Sequence, residues 1–136
     1  MREGTICIRG KEISDDQLYY DITRVLTALC FKQKYSGYSY VREAVRFAVR
    51  QERFGGISKC IYPVIAKELG ISSAAVASGM RTAIHKAWVL TDDEMKRELF
   101  GTYGTTAEWV PSNSEFVYMM ADRLSYPSGF NKILHS

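Results

Sequence analysis

The fold is decided by Pro63-Val-Ile-Ala-Lys-Glu-Leu-Gly-Ile-Ser-Ser-Ala-Ala-Val-Ala-Ser-Gly-Met-Arg-Thr-Ala-Ile84. Two helices that cross steeply through a short turn need three residue types at fixed offsets. A small residue on the first helix admits the second, and Ala66 supplies it. A residue that tolerates a left-handed backbone must sit in the turn, which Gly70 does without a Cβ clash. An inward branched residue on the second helix plugs the crossing, and Val76 stands there. Ile65, Leu69 and Ile71 are expected to add flanking apolar contacts. The pattern predicts a helix-turn-helix centred on Ile65–Thr82, whose second helix, 72–90, presents its N-terminal residues to the DNA major groove. An αα-corner with no DNA role is the alternative for the same pattern.

If Val76, Met80, Ile84 and Ala87 face inward, the outward side holds Ala74, Ala75, Ala77, Ser78, Arg81, Thr82 and His85. The expected DNA-contacting set is Ser73, Ala75, Ala77, Ser78, Arg81, Thr82, His85, Lys86 and Lys59. Arg81 is the strongest member, able to grip a guanine bidentately or to hold a phosphate. Alanine offers only a methyl contact to thymine, and serine discriminates bases poorly, so the face is bare for a sequence reader. Lys67, Arg97 and the Lys32/Lys34 pair are further phosphate candidates; the bland reading of each is a solvated charge.

Outward from this core the chain reads as helices. Ser14 with Gln17 resembles a capping box before Leu18, Ile22, Val25, Leu26 and Leu29, a stripe that predicts a helix running to about Lys34. Gly37 is expected to break it, and Val41, Ala44, Val45 and Ala48 mark a second helix ending before Gly55–Gly56. A third covers Ile57–Leu69, restarted at Pro63, and ends at Gly70. After the helix of Val76 to Trp88, Thr91 with Glu94 predicts a capping box for a short helix ending near Phe100. Gly101–Pro111 reads as a loop, and Ser112 with Glu115 opens a last helix carrying Phe116, Val117, Met120, Ala121 and Leu124 inward. The class is all-α: a single compact domain of about six helices. Residues 1–13 read as an arm or linker, 14–126 as the helix-turn-helix domain and 127–136 as a loose tail.

Composition sets the bounds. With 136 residues, 46% hydrophobic and 24% charged, the chain can build one domain with a real core, but not two ordinary ones. Cys7, Cys30 and Cys60 are odd in number and far apart, which argues against a disulfide framework and for a reducing cytoplasm. No apolar run is long enough for a bilayer span, so no membrane is expected. A net charge of +3 permits a nucleic-acid partner without arguing for one. His85 and His135 have no cysteine at ligand spacing, so neither a metal nor any other cofactor is expected. Asp15–Asp16 and Asp92–Asp93 sit in first turns, where acids favour the helix dipole rather than catalysis. Gly55–Gly56 lacks the Gly-Lys-Ser/Thr of a P-loop. Tyr35, Tyr38 and Tyr40 could stack on single-stranded bases but read better as packing residues. No nucleophile, base and orienting acid can be placed together, which leaves an enzyme a distant third.

From about Ser14 to Ser125 the chain resembles the C-terminal effector domain of the stage-zero sporulation response regulator. The resemblance lies in GYSYVREAV (Gly37–Val45), ISKCIYPVIAK (Ile57–Lys67), RTAIHKAW (Arg81–Trp88), Leu99-Phe-Gly101, PSNSEF (Pro111–Phe116) and MADRL (Met120–Leu124). It implies a six-helix transcription factor that binds short operators as a tandem dimer and contacts the sigma subunit of RNA polymerase. A weak or DNA-induced homodimer is therefore expected. Two departures matter. The family joins this domain to a phosphorylatable receiver, for which a chain of this length has no room. The family also reads bases with two arginines and a glutamate, and those positions are Ala75, Ala77 and Ser78 here. Arg81 matches a basic position of the family's recognition helix. The leading expectation is a DNA-binding transcriptional regulator; the alternative is a protein-interaction module that kept the fold and lost operator reading.

Overall fold

The computed structural model describes residues 5–8, 11–51, 56–126 and 130. Among them are six α-helices: α1 (Asp15–Ala28), α2 (Ser36–Arg50), α3 (Tyr62–Leu69), α4 (Ser73–Leu90), α5 (Asp93–Phe100) and α6 (Asn113–Leu124). The all-α expectation holds, with one addition. Part of the stretch read as an arm forms an antiparallel two-stranded ribbon, β1 (Thr5–Ile8) and β2 (Lys11–Ser14), with Thr5 opposite Ser14. Its β-branched residues favour the extended backbone. Of the segment read as a loose tail, Phe130 is buried in the core; the rest of that segment, including His135, lies outside the described residues.

The core is a single cluster that takes Leu18, Ile22, Val25 and Leu26 from α1, Val41 and Val45 from α2, Val76, Met80 and Ile84 from α4, and Phe116, Val117 and Met120 from α6. Every position expected to face inward on α4 is buried. Two salt bridges join the start of α1 to α2: Arg46 Nη2 lies 2.7 Å from Asp15 Oδ2, and Arg50 Nη2 lies 3.1 Å from Asp15 Oδ1. Burial pulls the Arg46 pKa down, but the Asp15 hydrogen bond and the charges of Glu43, Asp15 and Glu68 outweigh it and raise it. The guanidinium therefore stays charged throughout.

Several helix ends differ from the expected ones. α1 stops at Ala28, six residues early, because Cys30 takes a left-handed φ of 70°. The Phe31 N–H then reaches the Leu26 carbonyl and the Cys30 N–H the Thr27 carbonyl, each at 3.0 Å, which is a Schellman closure. Gly37 does not break a helix but lies in the first turn of α2. Only half of the first capping box forms: Ser14 accepts from the Gln17 N–H, while the Gln17 side chain donates to Asp21. Asp92, not Thr91, caps α5, accepting from the Met95 N–H at 2.8 Å. Thr91 is buried at the end of α4, its hydroxyl within 3.0 Å of the Leu29 carbonyl and 2.9 Å of the Ala87 carbonyl. The Ser112/Glu115 capping box of α6 is complete. The expected loop after α5 begins with a 3-10 turn, Gly101–Thr105.

Gly70 has φ 68° and ψ 34°, as the turn requires. A Cβ built there would meet nothing within 4 Å, so substitution would strain the backbone without a clash. Gly70→Val is expected to lose about 1–3 kcal/mol and Gly70→Asn much less, because asparagine visits the left-handed region. Equal denaturation midpoints for the two variants would count against this.

Candidate nucleic-acid interface

α3 is preceded by a π-helical turn, Ile57–Ile61, and Pro63 lies in its first turn, where the missing N–H costs nothing. At its far end the Ile71 N–H donates to the Ala66 carbonyl at 3.0 Å, closing the helix around Gly70. Ser72 then caps α4, its hydroxyl accepting from the Ala75 N–H at 3.0 Å. The segment Ile57–Leu69 meets α4 at 101°, within the roughly 90–120° of a helix-turn-helix. Ala66 and Val76 are buried at the crossing as expected, with Ile65 beside them. Leu69 is the exception: it is half exposed, and Ile71 alone of the outer pair packs on the core.

The face of α4 turned to solvent carries Ala74, Ala75, Ser78, Arg81, Thr82, His85 and Lys86, all exposed. Ser73 and Ala77 are half-buried at its edge. α4 contains no carboxylate, so its N-terminal dipole and the charges of Arg81 and Lys86 act with one sign. Among the described residues Arg81 forms no hydrogen bond or ion pair, leaving its guanidinium free for a ligand. Lys86 is placed differently: its ammonium stands 4.1 Å from the centre of the Tyr35 ring, which Lys34 also approaches at 5.4 Å. Lys32, Lys34, His85 and Lys86 come together around a cleft of about 360 Å³ beside the second half of α4. Lys59 is exposed on the π turn and Lys67 on α3. Arg97 lies in the last turn of α5, and neither it nor those two lysines lines this cleft.

Of the tyrosines, Tyr38 is buried and Tyr40 packs its ring against Gly79, which fits packing roles rather than base stacking. Two contacts behind the face went unread in the sequence. Gly37 and Gly79 let α2 and α4 touch backbone to backbone: a Cβ on Gly37 would fall on the Gly79 carbonyl oxygen. Asn113, at the start of α6, donates from Nδ2 to the Ala77 carbonyl at 3.0 Å and to the Tyr62 hydroxyl at 2.8 Å. The sequence carried no signal for this contact, because the two acceptors lie 36 and 51 residues away.

The steep crossing, the left-handed turn and the exposed, carboxylate-free second helix define a helix-turn-helix domain. Residues 22–124 match the family described as sporulation initiation factor Spo0A C terminal, and the chain belongs to that family. The family is one of sporulation transcription factor domains that bind DNA, and it is not a family of enzymes. Among the described residues no single helix is long and apolar enough to cross a membrane.

Proposed function

We propose that the domain, residues 14–126, regulates transcription in the cytoplasm by laying α4 in the major groove of duplex DNA. In this reading Ser73, Ala75, Ala77, Ser78, Arg81 and Thr82 face the groove, and most of the affinity comes from phosphates. The observation that carries it is the unpartnered Arg81 on a helix without a carboxylate. Lys32, Lys34, His85 and Lys86 flank one side of that helix and suit a DNA backbone running past it. Lys59 adds a charge ahead of α3. Family membership supports two protomers on an adequate duplex and contact with the polymerase sigma subunit. With alanine and serine at the base-reading positions, the family's operator is not transferred to this chain.

Arg81→Ala tests the role of the central cation. A phosphate contact predicts similar weakening on the best site and on scrambled DNA, with the salt slope reduced by about one unit. A guanine contact instead predicts a loss of roughly 1–3 kcal/mol on the best site and little on scrambled DNA. The bare surroundings favour the phosphate outcome, because no neighbour fixes the arginine rotamer. Unchanged binding to both DNAs would remove Arg81 from the interface.

A further inference from the structure

We infer that Asn113 is a positioning residue for the DNA-reading helix: its amide holds the Ala77–Arg81 turn of α4 against α3 and α6, and so sets the direction in which Arg81 meets DNA. The inference rests on the DNA-binding reading above.

Asn113 is buried to 9% exposure, and both protons of its NH2 group are used. One goes to the Tyr62 hydroxyl at the start of α3, the other to the Ala77 carbonyl in the second turn of α4. A carbonyl can only accept, so the bond to Ala77 fixes which way the amide faces. In an α-helix the Ala77 carbonyl also receives the N–H of the residue four positions on, which is Arg81. One side chain thus ties together both helices of the helix-turn-helix at the level of its central cation.

The base from which it reaches is itself held. The Ser112 N–H donates to Glu115 Oε1 at 2.9 Å, and the Glu115 N–H donates to Ser112 Oγ at 3.1 Å. Phe116 and Val117, on the following turn, are buried in the core. The capping box therefore anchors Asn113 to the core, and Asn113 anchors the exposed helix to the capping box. A side chain whose main contribution was core area would be apolar here. An amide adds direction, because hydrogen bonds have preferred geometry and apolar contacts do not.

The test compares wild type with Asn113→Ala, Asn113→Ser, Tyr62→Phe and Val25→Ala, all at a temperature where circular dichroism shows each fully folded. Binding to a random-sequence duplex pool is read by fluorescence anisotropy, and amide hydrogen exchange is followed in parallel. Asn113→Ala is expected to weaken binding about tenfold and to speed exchange at the Arg81 amide more than at α1 amides. Asn113→Ser, too short to span both acceptors, gives the same pattern and serves if the alanine variant does not fold. Tyr62→Phe keeps the bond to Ala77 and is expected to weaken binding less than about threefold. Val25→Ala, a core truncation in α1, lowers the Tm without changing affinity. Wild-type affinity in both Asn113 variants, or a loss no larger than that of Val25→Ala, would overturn the inference. If wild type binds no duplex, the DNA reading fails. The clamp is then judged on exchange alone, and unchanged Arg81 protection in the Asn113 variants overturns it.

Discussion

Gly37→Val is expected to cost the domain about 3 kcal/mol or more, at or beyond the upper end of ordinary overpacking losses. α2 and α4 meet where two glycines face each other. A Cβ added at Gly37 would fall on the Gly79 carbonyl oxygen and lie 2.9 Å from the Ala83 Cβ. Both obstacles are helical backbone or a short buried side chain, so neither can rotate away; the helices must separate. The reverse change is gentler. A Cβ on Gly79 would meet the Tyr40 ring at 2.7 Å and 2.9 Å, and a ring on a half-exposed side chain can turn. Gly37→Ala should therefore lower the urea midpoint more than Gly79→Ala. The opposite order would show that the closest approach lies elsewhere.

Val76→Asp is expected to be comparably damaging, at about 4 kcal/mol near neutral pH. Val76 is fully buried where α3 and α4 cross, so the substitution removes apolar packing and strands a carboxylate away from water. The sign of its pH dependence follows. Burial disfavours the charged form, so the introduced carboxyl has a higher pKa folded than unfolded. The penalty relative to wild type is greatest above the folded pKa and shrinks as pH falls toward the unfolded value near 4. Melting temperatures of both proteins between pH 7 and pH 4 should converge. A difference independent of pH would show that the carboxyl reaches solvent.

Most of the helical framework was legible because it rests on periodicity and turn chemistry. The stripe on α4, the left-handed Gly70, the Pro63 restart and the Ser112 cap each follow from residue type at one position. What escaped depends on contacts distant in sequence. Nothing in the sequence marks Cys30 as a left-handed residue. Its conformation accompanies the burial of Phe31, whose ring lies 5.3 Å from that of Phe116 on α6. Thr91 looks like a cap by spacing, yet its hydroxyl serves the ends of α1 and α4, and Asp92 takes the cap. Gly37 reads as a breaker in isolation and proves to be a contact point only once α4 lies against it. The exposed face of α4 was readable directly, since exposed side chains show in periodicity; the Asn113 brace behind it was not, because its partners are 36 and 51 residues away.

The central claim is that the exposed face of α4 binds duplex DNA chiefly through phosphates. Its most direct test is an anisotropy titration of the wild-type domain against a random-sequence duplex pool at several salt concentrations. Binding is predicted at low salt, with log K falling linearly in log salt by about 0.9 for each phosphate neutralised. The family's operator is predicted to bind little better than the random pool. Strong selective binding to that operator would contradict the phosphate-dominated reading, and no binding to any duplex at low salt would contradict the claim itself.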